Sequence, residues 1–334
     1  MPELPEVEVV RAGLEPAVTG ASVASVAIFD ERSLRRHDGP AEDFVDRLTG
    51  RTMLAPQRRG KFMWIPLSEI QEIPRPIVRT PSEIQEISAE SWEPGAANAG
   101  IQRAPHGGLS ALPEFPKEAL VTHLGMSGQV LLRDVATDDA RTRIRIDLQH
   151  PEHGPLRLNF VDQRIFGSMA IDQLVSSRDA ADLVPSKVAH IARDPLDERF
   201  DDALFLAQLA RKNTTIKRAV LDQTLISGVG NIYADESLWA ARIHYDQPTA
   251  TLGRARATRL LAEVRLVLRK ALAEGGTSFD AQYLNVNGQS GYFAQSLNAY
   301  GQQGKPCPRC GRPIVRESFM NRGSHFCPRC QKVR

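Results

Sequence analysis

Residues 307–330 read CPRCGRPIVRESFMNRGSHFCPRC and hold every cysteine of the 334-residue chain. The cysteines form two C-x2-C pairs with sixteen residues between the pairs: Cys307, Cys310, Cys327 and Cys330. Two such pairs can present four thiolates tetrahedrally, which suits a structural zinc ion. Disulfides are the alternative. They are disfavoured in the cytoplasm, where we expect a chain whose N-terminus lacks a secretory pattern. The sequence therefore predicts one structural Zn²⁺.

The segment around these cysteines also predicts a hairpin and an anionic partner. Residues 312–319 and 324–327 have the composition of two ribbon strands. The turn signal NRG at 321–323 places Arg322 at the hairpin tip, within reach of a phosphate; a plain exposed arginine is the alternative. Residues 301–334 hold eight basic side chains and one acidic side chain, a local net charge of +7 in a chain of net charge +2. This concentration of charge predicts a polyanionic partner, with a solubilising tail as the alternative.

Hydrophobic periodicity divides the rest of the chain into a β-rich half and a helical half. A helix is predicted over 5–18, where apolar residues recur every three or four positions. Six stretches with strand composition follow, several of them alternating apolar and polar residues: 22–29, 61–67, 119–124, 128–133, 143–148 and 156–162. Four helical stretches come next: 201–212, 215–223, 231–243 and 254–276. No run of about 18 apolar residues occurs, so no membrane span is predicted.

Residues 69–118 differ from both halves. They hold seven prolines, eight acidic and four basic side chains, and the hexapeptide SEIQEI occurs twice, at 68–73 and 82–87. Two copies are too few to stack into a repeat protein. A segment of this composition cannot bury enough apolar surface to offset the entropy of folding. We therefore expect a mostly disordered insertion.

A glycine-rich loop and a basic segment are candidate anion sites. The stretch GVGNIYADE (228–236) enters a helix for which Asn231 is the expected N-cap, and free N–H groups at a helix start can bind an anion. A capped helix without a ligand is the alternative. The stretch RRGK (58–61) places three basic residues beside a strand. They either contact phosphate or protect a solvated sheet edge.

Two further turns carry side chains suited to DNA distortion. The stretches HLGMSG (123–128) and DQRIFG (162–167) place Met126, Arg164 and Phe166 on turns. Such side chains can wedge into a base stack. Packing in the protein core is the alternative for each of them.

The N-terminus, MPELPEVEVV, places Pro2 directly behind Met1 and Glu3 beside it. Proline and acidic residues are common in the first turn of a helix, which is one explanation. The other explanation requires removal of Met1, which makes Pro2 a terminal secondary amine. An α-amino group has a pKa of about 8, against about 10.4 for lysine, so more of it is unprotonated at neutral pH. Such an amine could attack a sugar C1′ and form a positively charged iminium, with Glu3 as general acid or base.

Taken together, PELPEVE, HLGMSG, DQRIFG, GVGNIYADE and the cysteine pairs resemble, in order along the chain, the bacterial formamidopyrimidine-DNA glycosylases (Fpg, also called MutM). The resemblance implies an α+β multidomain fold with an N-terminal catalytic β-sandwich and leading helix over 1–190, which contains the insertion 69–118. A helix–two-turns–helix domain over 199–297 and a zinc-ribbon finger over 298–332 would follow. The insertion is not part of the usual family pattern.

The resemblance also implies an activity and its catalytic residues. The protein would be a bifunctional DNA glycosylase and AP lyase of base excision repair. It would excise 8-oxoguanine and formamidopyrimidines and cleave the strand by β,δ-elimination. Pro2 would be the Schiff-base nucleophile and Glu3 the proton donor. Lys61 would serve β-elimination and Arg322 δ-elimination.

The partner implied by the resemblance is damaged double-stranded DNA, bound by a monomer in the cytoplasm at the nucleoid. Met126, Arg164 and Phe166 would fill the hole left by the flipped base. The stretch 277–293 matches the family's lesion-capping loop. We place in residues 277–283 a backbone carbonyl that accepts from N7–H of 8-oxoguanine, with Thr277 as the first candidate. The other DNA contacts are implied by position in the family motifs: His123, Arg141, Lys212, Lys217 near the lesion, and Asn231.

Two alternatives compete with this interpretation. The sibling branch, endonuclease VIII, prefers oxidised pyrimidines and typically has glycine where this chain has Leu4, so Leu4 favours the Fpg branch. A non-catalytic zinc-ribbon DNA-binding protein would explain the basic C-terminal segment. It would not explain the pair Pro2–Glu3.

Overall fold

The structure is a computed structural model and describes residues 2–68, 116–179, 182–277 and 293–334. The β-rich half is built on two antiparallel sheets. One sheet has the strand order β1 (Ser22–Ile28), β6 (Thr142–His150), β7 (Gly154–Asp162), β5 (Gly128–Arg133). The other has the order β2 (Gln57–Arg59), β3 (Phe62–Leu67), β4 (Glu118–His123), β8 (Ser168–Ser176), β9 (Leu183–Pro185).

The two sheets and the leading helix α1 (Leu4–Val18) enclose one apolar core. Val10 and Leu14 on the inner face of α1 meet Ile146 from β6 and Ile171 from β8 in this core. Alternating side chains on the strands supply the rest of it, as expected for sheets with one buried face. The prediction of a β-sandwich with a leading helix is therefore confirmed.

Four elements of this half are absent from the sequence prediction. Helix α2 (Ala41–Leu48) and strands β2 and β9 are short, and an eight-residue helix carries too few turns for a clear periodicity. Strand β8 is longer, but residues 168–172 are all buried because the strand is covered on both faces. A strand buried on both faces does not alternate apolar and polar residues, so its sequence lacks the expected signal.

Strands β3 and β4 flank the predicted insertion and pair with each other. Leu67, the last residue of β3, lies opposite Glu118, the first residue of β4. The chain therefore leaves and re-enters the sheet at the same end. Of residues 69–118, for which disorder is predicted, 69–115 lie outside the described residues. The predicted C-terminal limit is wrong, because Glu118 pairs with Leu67 as the first residue of β4.

The helical half contains α3 (Asp202–Arg211), α4 (Ile216–Leu221), α5 (Asn231–Ala241) and α6 (Arg254–Ala273), close to the predicted stretches. Helix α5 lies at the centre, and all but one of its eleven residues are buried. Within the described residues, no helix combines the length and apolar character needed to cross a membrane.

The helical core also includes side chains from the start of the chain and from its C-terminal ribbon. Leu4 of α1 and Phe326 of the ribbon pack in the same cluster as Tyr233 of α5. The N-terminus and the ribbon, which lie at opposite ends of the sequence, are thus both anchored in the core that surrounds α5.

The ribbon consists of β10 (Val315–Phe319) and β11 (Arg322–Phe326), in which Phe319 lies opposite Arg322. The turn therefore comprises Met320 and Asn321, both with positive φ, at 49° and 60°. Two residues of this conformation match the twist of a two-residue hairpin. The predicted turn at 321–323 is wrong by one residue: Arg322 begins β11 and does not occupy the tip.

Candidate active site and nucleic-acid interface

The Glu3 carboxylate lies at the N-terminus of helix α5. It accepts hydrogen bonds from the backbone N–H groups of Gly230 at 2.7 Å, Ile232 at 3.1 Å and Tyr233 at 3.4 Å. The anion site expected at this helix start is therefore filled by a side chain of the protein itself. The N-cap position belongs to Gly230, and not to Asn231 as predicted, because Glu3 satisfies the N–H groups that a capping side chain would serve.

Two glycines let the N-terminus approach the helix this closely. A Cβ atom on Gly230 would lie 2.3 Å from the Glu3 carboxyl carbon, and one on Gly228 would lie 2.6 Å from Leu4. Gly228 also has a φ of +85°, and its carbonyl accepts from the Leu4 N–H at 3.0 Å. The first and last glycines of the GVG stretch are thus required for contact with the start of α1.

Glu3 is almost fully buried, with 2% of its surface exposed. Burial raises the pKa of its carboxyl group. The positive charge of Lys61 opposes this rise, and the negative charge of Glu6 adds to it. A carboxyl group whose pKa is raised holds a proton at higher pH than usual, which suits a proton donor.

Glu6 holds the backbone beside Pro2, a role that sequence reasoning missed. Its carboxylate accepts from the Glu3 N–H at 2.8 Å and from the Tyr233 hydroxyl at 2.6 Å. It also accepts from the N–H and hydroxyl of Thr277, at 2.7 and 2.9 Å. The spacing of Glu3 and Glu6 is that of a capping box, which is the signal that could have identified Glu6.

Lys61 lies within electrostatic range of this carboxyl pair, and Arg322 lies within electrostatic range of Lys61. Burial lowers the pKa of Lys61, the negative charge of Glu3 opposes this, and the positive charge of Arg322 lowers the pKa further. Arg322 is exposed at the start of β11. Pro2 is buried and directly precedes Glu3 in the chain. The four residues predicted to be catalytic are therefore brought together.

The two turns with the wedge side chains are packed against each other. A Cβ atom on Gly125 would lie 2.3 Å from the backbone carbon of Phe166, so the two turns are in direct backbone contact. The buried Asp162 carboxylate fixes the second turn by accepting from Ser127 Oγ at 2.5 Å and from Gly167 N at 2.7 Å. Its Oδ1 also accepts from the backbone N–H of Arg164 at 3.1 Å.

The wedge residues themselves face outward. Phe166 is 43% exposed, although it is a large apolar side chain. The Arg164 guanidinium lies 5.1 Å from its ring centroid, and Met126 is half-buried. Exposed apolar and cationic side chains on a rigid turn match the predicted wedge and exclude Phe166 from the core.

His123 ends β4 beside the first turn and is neutral. Its ring lies 4.8 Å from the Phe62 ring, and its Nδ1 accepts from the Gly125 N–H at 3.1 Å. The hydrogen therefore sits on Nε2, which can donate to an anion. Burial, followed by the positive charges of Arg36 and Lys61, lowers the pKa of His123 to about 3.

The other predicted DNA contacts are more dispersed. Lys212 at the end of α3 pairs with Asp222 and is 35% exposed. Arg141 is exposed, with a φ of 66°, between β5 and β6. Thr277 is buried against Glu6, and residues 278–292, which form most of the predicted lesion-capping loop, lie outside the described residues. Asn231 is buried and donates to the Gly323 carbonyl at 3.1 Å.

Lys217, which is predicted to lie near the lesion, is inside the protein. Its side chain is completely buried. Its Nζ donates to Asp235 at 2.6 Å, to Ser324 Oγ at 2.8 Å and to the Gly323 carbonyl at 3.3 Å. These bonds use all three N–H groups, so in this structure Lys217 joins α4 and α5 to the ribbon and has no donor left for DNA.

The four cysteine sulfur atoms lie within 4.8 Å of one another, and those of Cys310 and Cys327 are 3.5 Å apart. Tetrahedral Zn–S bonds of about 2.3 Å place sulfur atoms about 3.8 Å apart, so the cluster fits the predicted zinc ion. The adjacent Arg309 donates to the carbonyls of Trp239 and Ala240 at the C-terminal end of α5. The metal cluster and Glu3 therefore lie at opposite ends of one helix.

Comparisons with known proteins cover all three parts of the chain. The Formamidopyrimidine-DNA glycosylase N-terminal domain family matches residues 1–169, and the Formamidopyrimidine-DNA glycosylase H2TH domain family matches 191–282. The Zinc finger found in FPG and IleRS matches 304–333. A formamidopyrimidine-DNA glycosylase of Leifsonia xyli subsp. xyli is 56% identical over 342 residues, which covers 100% of both chains.

Two solved structures extend the similarity to three dimensions. The MutM (Fpg) protein of Thermus thermophilus has a TM-score of 0.72 and 30% identity, covering 99% of this chain and 98% of that one. A Lactococcus lactis FPG mutant in complex with a Fapy-dG-containing DNA has a TM-score of 0.73 and 26% identity, covering 99% of this chain and 100% of that one.

Proposed function

Because the chain belongs to the formamidopyrimidine-DNA glycosylase family of bifunctional base excision repair enzymes, we propose that Pro2 and Glu3 carry out its chemistry on oxidised purines. The chain is a DNA glycosylase and AP lyase of that family, with one structural zinc ion. One observation supports the catalytic assignment best: the Glu3 carboxyl group accepts hydrogen bonds from N–H groups at the N-terminus of α5, and Glu3 directly follows Pro2 in the chain.

Base release begins with the secondary amine of Pro2, which becomes available after removal of Met1. Its nitrogen forms a bond to C1′ of the damaged nucleotide, and the bond from C1′ to the base breaks. Glu3, whose carboxyl pKa is raised by burial, gives its proton to the base as it leaves. The C1′–O4′ bond of the sugar ring then breaks, and the proton on the Pro2 nitrogen passes to O4′. The product is a ring-opened iminium at C1′, in which the nitrogen carries the positive charge.

Strand cleavage follows from that positive charge. The iminium acidifies C2′–H, loss of this proton expels the 3′ phosphate, and a second elimination expels the 5′ phosphate. Lys61 is suited to the first elimination because burial lowers its pKa, which leaves more of its amine able to accept a proton. The positive charge of Arg322 lowers the pKa of Lys61, so Arg322 lies near it. Arg322 is suited to hold the phosphate that the second elimination expels.

The remaining assigned residues bind the distorted duplex. Met126, Arg164 and Phe166 replace the flipped base, whose unstacking costs a few kcal/mol. The neutral imidazole of His123 donates a hydrogen bond to a phosphate. Lys212, exposed in part, can exchange Asp222 for a phosphate. Arg141 and the carbonyl of Thr277 are further proposed DNA contacts. The buried Asn231 and Lys217 contribute to DNA binding by holding the ribbon, since both donate hydrogen bonds to the carbonyl of Gly323.

The zinc ion, held by Cys307, Cys310, Cys327 and Cys330, supplies folding free energy to the ribbon.

We propose domain limits of 1–190, 199–297 and 298–332, which the three family matches support. We propose that the protein acts on DNA as a monomer. We propose that it acts in the cytoplasm at the nucleoid, where its DNA substrate lies.

Incision of duplexes with a single defined lesion tests the proposal. The protein, with removal of Met1 verified by mass spectrometry, should incise 8-oxoguanine duplexes and leave phosphate on both sides of the gap. Glu3→Gln should bind the same duplex without excising the base. Preference for thymine glycol would assign the chain to an endonuclease VIII-like activity. Zinc-dependent binding with no incision of either duplex would favour a non-catalytic protein.

A further inference from the structure

Arg36 lies at the edge of the same site, although no motif points to it. It follows the 3-10 turn Glu31–Leu34 and is half-buried. Its guanidinium carbon lies 5.3 Å from the centroid of the Phe62 ring, and that ring lies 4.8 Å from the ring of His123. Arg36, Phe62 and His123 therefore form one contiguous group of contacting side chains beside the first wedge turn.

Within the part of the chain that the structure describes, the Arg36 guanidinium has no acidic partner. Burial and then the neighbouring charge of Arg35 lower the pKa of Arg36, and no acidic group in the described ranges offsets them. Arg145 provides a contrast, since it lies 5.0 Å from the Phe29 ring centroid but pairs with Asp138. A partly buried cation without a counterion is unfavourable, and an anion placed beside it would remove that cost.

The donors beside Arg36 favour an anion with several oxygen atoms. His123 presents the Nε2–H group, because its Nδ1 accepts from Gly125. The positive charges of Arg36, Lys61 and Arg35 all act on the His123 ring. The charged guanidinium of Arg36 and the neutral Nε2–H of His123, which both contact the Phe62 ring, match the two free oxygens of a phosphodiester.

The neighbouring Arg35 fixes the location of this pair relative to the wedge. It donates to the carbonyl of Ile165 at 2.7 Å and to the carbonyl of Phe166. The segment that carries Arg36 is thereby attached to the turn that carries Phe166. A phosphate held by Arg36 would belong to the strand that passes the wedge.

We propose that Arg36 is a DNA-binding residue that contacts the same phosphodiester as His123, an inference that rests on the proposed action on DNA. It adds one charged contact to the interface. The charge contact should appear in the salt dependence of binding, because each neutralised phosphate of duplex DNA contributes about −0.9 to the slope of log K against log salt concentration.

The test measures binding of the full-length zinc protein to a duplex with a non-cleavable abasic analogue, over a range of salt concentrations. Arg36→Gln and Arg36→Met should each lower the magnitude of the slope by about 0.9. Arg36→Lys should keep the wild-type slope. Arg145→Gln is the matched control, an arginine on an aromatic ring with its own carboxylate, and should keep the slope. His123→Gln should weaken binding without changing the slope, since His123 is neutral.

A wild-type slope in both Arg36→Gln and Arg36→Met would overturn the inference, and a lowered melting temperature in these variants would then assign Arg36 to packing on Phe62. Incision of 8-oxoguanine DNA by the wild-type protein is measured in parallel. Failure of wild-type incision counts against the proposed catalytic function alone, whereas an unchanged slope in an active enzyme counts against Arg36 alone.

Discussion

The backbone N–H of Gly230 donates to the Glu3 carboxylate at 2.7 Å, across 227 positions of sequence. The contact joins the start of the chain to the first turn of the central helix. No side chain fits between them, because a Cβ atom on Gly230 would lie 2.3 Å from the Glu3 carboxyl carbon. The position of the proposed acid is thus set by a glycine in another part of the protein.

Gly230→Ala should therefore impair base excision selectively. The added methyl group must displace Glu3 from the helix N-terminus, and loss of a positioned proton donor costs about 10²-fold in rate or more. The measurement is single-turnover excision of 8-oxoguanine. Cleavage of a preformed abasic site is the control, because it does not require protonation of a leaving base. Equal losses on both substrates would show that the substitution disturbs more than Glu3.

His123 should make the protein less stable at acidic pH. Its pKa is about 3 in the folded protein and about 6.5 when unfolded, so between these values only the unfolded chain binds the proton. The contribution of His123 to the free energy of unfolding is fully present above pH 6.5 and falls as the pH is lowered. The loss between pH 7 and pH 5 is about 2 kcal/mol. Urea unfolding should show a smaller loss in His123→Gln. The same loss in both proteins would contradict the prediction.

Phe166→Ala should slow excision from duplex DNA while leaving the fold intact. Phe166 is 43% exposed, so its truncation creates no cavity, but it removes the wedge that offsets unstacking. Phe160→Ala is the matched control, since Phe160 is 1% exposed and truncation of a core phenylalanine costs about 3–5 kcal/mol. Thermal unfolding and excision rates distinguish them. An unchanged duplex rate in Phe166→Ala would remove Phe166 from the interface.

Much of the architecture follows from local sequence signals. The spacing of the cysteines predicts the metal cluster, and periodicity predicts α1 and the four helices around Tyr233. Strand β8 is not predicted, because its burial on both faces removes the alternation of apolar and polar residues. The turn before Arg322 is displaced by one residue because Met320 adopts positive φ, which its residue type does not indicate.

The site is less predictable because its contacts are long-range. The motif GVGN indicates an anion site, but only the fold shows that the Glu3 carboxyl group occupies it. The lysine of TTIK carries a charge that suggests DNA, yet Lys217 is paired with Asp235 inside the protein. Arg36 belongs to no motif, and its position over Phe62 depends on pairing between distant segments.

Covalent trapping at Pro2 tests the central claim most directly. An iminium between the enzyme and DNA is reduced by borohydride to a stable amine, and mass spectrometry of the digested adduct locates the modified residue. The account predicts a cross-link on Pro2 in protein from which Met1 has been removed, and none in a matched sample that retains Met1. A cross-link on Lys61, or full trapping with Met1 in place, would contradict it.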